Sequence, residues 1–228
     1  MQKILTLFFV LFLFSQLPAQ TPQELVNKIK AKLEQVNDYT AKGKLKTNVI
    51  FIKAPIASVK VYYKKPDKMK IVNENGISFI PKGCVNINLA KFLSGSGNYE
   101  IIDAGTEPST GLRIIKLLPS EENSEIVLST LYIDEKAELI KKAKNTTRDN
   151  GTYELEMSYG KYIAYGLPDK VIFSFNTKDY KLPKGVTFDY DDGTEKKPGE
   201  DLKNKKGKVE ISYSEYLINK GVNDSIFK

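Results

Sequence analysis

Two hydrophobic periods divide the chain. Leu25, Ile29, Leu33 and Val36 recur at helical spacing, with Lys28, Lys30, Lys32 and Glu34 elsewhere. This predicts one amphipathic helix. Its start is marked by Thr21-Pro22-Gln23-Glu24: Thr21 caps, Pro22 suits the first helical position, and Glu24 completes a capping box. Its end is expected near Asn37-Asp38.

Period two takes over at once. From Tyr39 to Phe51 one face reads Tyr39, Ala41, Gly43, Leu45, Thr47, Val49, Phe51, and the other carries Lys42, Lys44 and Lys46. That pattern predicts a long half-buried strand. Val59, Val61 and Tyr63 oppose Lys60, Tyr62 and Lys64; Met69 and Ile71 oppose Lys68 and Lys70. Asn75-Gly76 is a hairpin signal leading into 77–81. A short helix is expected at 88–93 (NLAKFL). Strands are then expected at 99–103, 111–118, 125–133, 137–144, 153–159 and 171–176, and from Val209 to at least Tyr216. Residues 191–208 read as a charged, turn-rich, solvated excursion.

About ten sequential strands joined by short turns predict a mainly β fold: one highly curved antiparallel sheet, an incomplete β-barrel. The helix is the obvious cover for its apolar face. At about 24 Å it is too short to fill so wide a concavity. Either the sheet closes on itself or an apolar cavity is left, and a fully packed interior would refute the cavity.

The N-terminus changes the compartment. Lys3 precedes an apolar run, Ile4–Phe14, interrupted only by Thr6, and Pro18-Ala19 offers a small residue for cleavage. The run is about half of a membrane span. Residues 1–19 are therefore expected to be a signal peptide cut near Ala19, with residues 20–228 forming one domain in the periplasm. Cys84 is the sole cysteine, which excludes an internal disulfide. It is expected to be a small buried apolar residue.

Net charge is +7, spread along the outward halves of the strands. Only two arginines occur, Arg113 and Arg148, and no nucleic-acid partner is expected. Without histidine there is no imidazole-dependent nucleophile and no imidazole metal site. Asp189, Asp191, Asp192 and Gly193 form a loose acidic cluster that lacks the closing Glu of a calcium loop. No metal, cofactor or enzymatic activity is expected. Sequons at Asn145, Asn150 and Asn223 match by chance as easily as by design.

Three stretches resemble the periplasmic outer-membrane lipoprotein carriers, the LolA-like proteins. They are LVNKIKAKLEQVNDYTAKGKLK, then VYYKKPDKMKIV with NENGISFIPKG, then FSFNTKDYKLPKGVTFDYDD. They occur in the family's order and span about half of the chain after the signal. The resemblance implies an incomplete barrel with helices as a lid over a hydrophobic cavity for lipoprotein acyl chains, and no covalent chemistry. The carriers place a functional arginine before a proline; the matching residue here is Lys65, before Pro66. The 191–208 excursion and the strand through Tyr216 extend beyond the simple carrier pattern.

Read together, these features place Leu45, Val49, Phe51, Val61, Tyr63, Met69, Ile71, Phe79, Leu155, Met157, Phe173 and Phe175 on the cavity wall. Leu25, Ile29, Leu33 and Phe92 are the lid candidates, and Lys65 is a lid contact or docking charge. The expected function is carriage of lipoprotein acyl chains or other lipids by a monomer, between an inner-membrane donor and an outer-membrane acceptor. The alternative is an envelope lipid-sensing module of the same architecture.

Overall fold

The computed structural model describes residues 20–48, 56–74, 99–122, 124–149, 151–176 and 206–228. The signal segment, Val49, Phe51, Phe79, Cys84, Phe92, the expected helix at 88–93 and the acidic cluster at 189–193 lie outside those residues.

Helix α1 spans Pro22–Glu34. The capping box forms as the sequence predicts: Glu24 N donates to Thr21 Oγ1 at 3.2 Å, and Thr21 N donates to Glu24 Oε2 at 3.0 Å. The backbone hydrogen bond from Thr21 holds the Glu24 carboxyl below its ordinary pKa. The helix stops at Glu34, before the expected Asn37-Asp38, because Val36 N turns back to the Leu33 carbonyl and the chain enters a strand at Asp38.

Ten antiparallel strands follow among the described residues: β1 (Asp38–Asn48), β2 (Ala57–Lys64), β3 (Lys68–Asn73), β4 (Tyr99–Thr106), β5 (Arg113–Pro119), β6 (Ile126–Asp134), β7 (Leu139–Thr147), β8 (Thr152–Ser158), β9 (Lys170–Asn176) and β10 (Lys206–Ile218). Their spatial order is β3-β2-β1-β10-β9-β8-β7-β6-β5-β4. The sheet does not close: among the described residues β3 and β4 are its two edges. This is the expected mainly β, open-barrel architecture.

The order corrects the expected meander at one point. β10 does not follow at an edge; it inserts beside β1, pairing Tyr39 with Ile218 and Leu45 with Ile211. Gly43 sits at the bulge in this pairing, where a Cβ would stand 2.7 Å from the Ser212 carbonyl oxygen. Residues 206–208, expected in the solvated excursion, are the first of β10, and Gly207 is buried opposite Phe175. β7 also runs three residues past Lys144, through Asn145 and Thr147.

The alternation places side chains as predicted. β1 buries Tyr39, Ala41, Leu45 and Thr47, and leaves Lys42, Lys44 and Lys46 outside. Two cores result. The larger unites Leu25, Val26, Ile29 and Leu33 of α1 with Leu45, Ile115, Leu131, Leu155, Phe173 and their neighbours. The smaller lies beyond the helix's C-terminal end, around Val36, Tyr39, Val61, Tyr63, Leu167 and Tyr216. Tyr216 is its hub: its ring centroid lies 5.3 Å from Tyr39, 4.8 Å from Tyr162 and 5.0 Å from Tyr213. Burial pushes the phenols of Tyr39, Tyr213 and Tyr216 well above the ordinary tyrosine range.

Candidate lid and concave face

The candidate site is built from one helix lying on one face of the sheet. Leu25, Val26, Ile29 and Leu33 share the buried stripe of α1. Each such side chain contributes about 1.5–3 kcal/mol on removal from water. Three of these four are the lid candidates named from the sequence.

Polar contacts hold the helix at two further places. Along its flank, Lys32 Nζ donates to the Ala137 carbonyl at 2.7 Å. Lys28 and Lys32 also pair with Glu138, at 3.5 and 3.6 Å. Glu138 belongs to the β6–β7 turn and has a positive φ of 53°, a left-handed conformation that aims this turn at the helix. At the helix's C-terminal end, Lys65 Nζ donates to the Glu34 carbonyl and lies 3.4 Å from Asn37 Oδ1. Asn219 takes the next groups: its Nδ2 donates to the Gln35 carbonyl at 2.8 Å, and its Oδ1 accepts from Asn37 N at 2.7 Å. Thus Lys65, predicted as a lid contact, meets the last turn of the helix, where unpaired carbonyls favour a cation. Nothing in the pattern of residues points to Asn219, whose partners are about 180 residues away.

Between helix and sheet lies a small crevice, open to solvent, with a volume of only ≈ 10 Å³, room for about one water molecule. Ile29, Leu33, Ile140, Tyr159 and Gly166 line it, with Lys32 and Glu138 at its polar side. Tyr159 donates its hydroxyl to the Ile140 carbonyl at 2.7 Å, and burial raises its pKa.

The cavity-wall candidates separate into two groups. Leu45, Leu155, Met157, Phe173 and Phe175 fall in the larger core beneath α1. Val61 and Tyr63 belong to the tyrosine-rich core, where Met69 is partly buried against them. Ile71 touches both. Phe173 is fully buried between Tyr153, at 5.2 Å, and Phe175, at 5.4 Å. No group of metal-ligating side chains occurs among the described residues, and no helix among them is long and apolar enough to cross a membrane.

No family model and no curated protein matches the sequence. Solved structures do. A domain described as an outer membrane lipoprotein-sorting protein from Vibrio parahaemolyticus superposes with a TM-score of 0.56 at 10% identity, over 90% of this chain and 94% of that one. A LolA superfamily protein from Nitrosomonas europaea gives 0.54 at 10%, over 92% and 98%. The chain shares the fold of these two proteins. A DUF1329 family protein from Desulfovibrio piger shares it, at 0.54 and 13%, over 92% and 98%. Such low identities carry the LolA-like architecture across and leave the chemistry to this chain's own residues.

Proposed function

We propose that this protein is a periplasmic carrier that holds lipoprotein acyl chains, or other long-chain lipids, against the concave face of its sheet and releases them by movement of α1. One observation carries this reading. A ten-stranded sheet that stays open presents a continuous apolar face, and among the described residues a single 13-residue helix is packed on it. Outside the core, that helix is held by lysines and one asparagine, contacts that exchange readily with water. Such a cover can separate from the sheet while the sheet keeps its ladder, once a cargo takes over the apolar surface that the helix leaves. An acyl chain would replace the helix's apolar stripe, each buried methylene contributing about 0.8 kcal/mol.

The LolA-like fold supports the same reading, as does the apolar N-terminal segment, which would direct the chain across the inner membrane. No catalytic step is required. An inner-membrane donor would load the carrier and an outer-membrane acceptor would unload it by binding the cargo more tightly.

The test is to express the full chain in a Gram-negative host, collect the periplasmic protein, and record native mass spectra with lipid extraction. Lipid or acylated peptide bound at near one per protein is the expected result. A protein that is consistently empty and takes up no fluorescent fatty acid overturns the reading.

A further inference from the structure

Two buried side chains of the strands carry polar atoms that nothing in the described structure satisfies: the hydroxyl of Thr47 and both ends of the Asn145 amide. Asn145 of β7 is fully buried, and neither its Oδ1 nor its Nδ2 has a hydrogen-bond partner. Its surroundings explain why. The row crossing the sheet at this level runs Leu117, Ser129, Asn145, Tyr153, Phe175, Gly207. The parallel row two residues away runs Leu131, Ala143, Leu155, Phe173. Asn145 thus stands opposite the buried Ser129 and otherwise among the largely apolar side chains of the face that α1 covers. The nearest backbone donors and acceptors are engaged in the β6–β7 and β7–β8 ladders.

An unpaired buried amide is costly, and native proteins retain few of them without a purpose. Both halves of this amide are free, which specifies the missing partner. An ester or a hydrocarbon chain offers no donor to Oδ1. A group carrying a donor and an acceptor side by side satisfies both atoms in a two-point, amide-to-amide arrangement.

We infer that Asn145 is the polar anchor of the ligand site, and that the ligand is a long hydrocarbon chain headed by a donor and an acceptor on the same side: a primary acyl amide or a protonated fatty acid. The inference rests on the carrier reading, since the cover must open for a ligand to reach this row. Tyr153, Phe173 and Phe175 would then flank the chain next to its head group. Substrates with the same tail and no donor would bind without this anchor.

The experiment uses three probes on the wild-type protein and on Asn145→Leu. They are hexadecanamide, hexadecanoic acid and the apolar dye diphenylhexatriene. Asn145→Leu keeps the branched shape and removes the unpaired atoms, which offsets the cost of its larger volume; if it does not fold, Asn145→Ala replaces it. The expected result is that the substitution weakens the amide about tenfold, as the loss of a buried hydrogen-bonded pair predicts, while the dye changes less than twofold. Raising the pH from 5 to 8 separates the two sources: it weakens the acid, whose ionised form cannot donate, and leaves the amide unchanged. Equal changes for amide and dye overturn the anchor. Binding of the dye with neither acyl probe bound overturns the anchor alone. Failure of all three probes to bind overturns the carrier reading and the anchor with it.

Discussion

Lys65 donates its ammonium to the carbonyl of Glu34, so the residue before Pro66 in the β2–β3 turn caps the last turn of α1. The contact joins the sheet's outer hairpin to the helix proposed to move. Replacing it tests whether that end of the helix is a fixed pivot. Lys65→Met should lower stability by about 0.5–1.5 kcal/mol, the worth of one such hydrogen bond. It should also speed dissociation of a bound acyl probe several-fold, measured by stopped-flow fluorescence. Lys65→Arg keeps the charge and should restore most of both. Unchanged dissociation in Lys65→Met would mean that the helix opens elsewhere.

The flank contact makes the complementary prediction. Glu138→Gln removes the charge shared by Lys28 and Lys32 while Lys32 keeps the Ala137 carbonyl. These pairs are partly exposed, so the loss of stability should stay within about 1 kcal/mol. Hydrogen exchange at residues 25–33 should nevertheless accelerate, because the helix's side is less firmly held. Added salt should have the same effect on the wild type and little effect on the variant.

Two glycines should respond differently to alanine. At Gly207 a Cβ would lie 2.5–3.0 Å from the Phe175 ring, a side chain that can be trimmed. Gly207→Ala should cost about 1–3 kcal/mol, and Phe175→Leu in the same chain should recover part of it. At Gly43 the obstacle is the Ser212 backbone, which no side-chain change can relieve. Gly43→Ala should therefore be at least as costly and should find no rescue at Phe175. Chemical denaturation of the four proteins checks both statements.

The C-terminal turn at 224–227 should be sensitive to acid. Hydrogen bonds from Lys64 and Lys68 hold the Asp224 carboxyl at about 2, below the ordinary value of 3.8. A depressed carboxylate stabilises the fold above its unfolded pKa and loses that effect as the pH falls through the folded one. The turn should therefore stay docked on β2 and β3 above pH 4 and come loose between pH 4 and pH 2. Chemical shifts of residues 222–228 should follow that titration, and Asp224→Asn should show the loosened shifts at neutral pH.

Much of the architecture was legible because it depends on local rules. Thr21, Pro22 and Glu24 announce a helix start whatever the helix packs against. Lysines alternating with Val59, Val61 and Tyr63 announce a strand's two faces. Alternation assigns a face and no partner, which is why β10 beside β1 was not foreseen. Composition also misled at Asn145 and Thr147, where polar residues read as the end of a strand and the ladder in fact continues. Likewise the lysines and glycine at 205–208 read as solvated chain, yet Gly207 is buried because only the absence of a side chain leaves room for Phe175. At the lid, Leu25, Ile29 and Leu33 were recognisable from their spacing. Asn219 was not, since a single polar residue holding backbone groups far away in sequence leaves no periodic trace.

The pairing of β1 with β10 sets a timetable. β1, β2 and β3 can assemble as soon as the first third of the chain emerges, and β4 to β9 can then zip together hairpin by hairpin. Among the described residues the two blocks share no ladder until β10 arrives and takes both sides at once, Leu45 on one flank and Phe173 on the other through Ile211 and Val209. A contact closing across more than 160 residues is slow. During that delay the inner edges of both blocks stand unpaired, and a chain in this state invites association with its neighbours. The last of the ten strands completes the middle, so a chain arrested before β10 would yield two half-sheets in search of a partner.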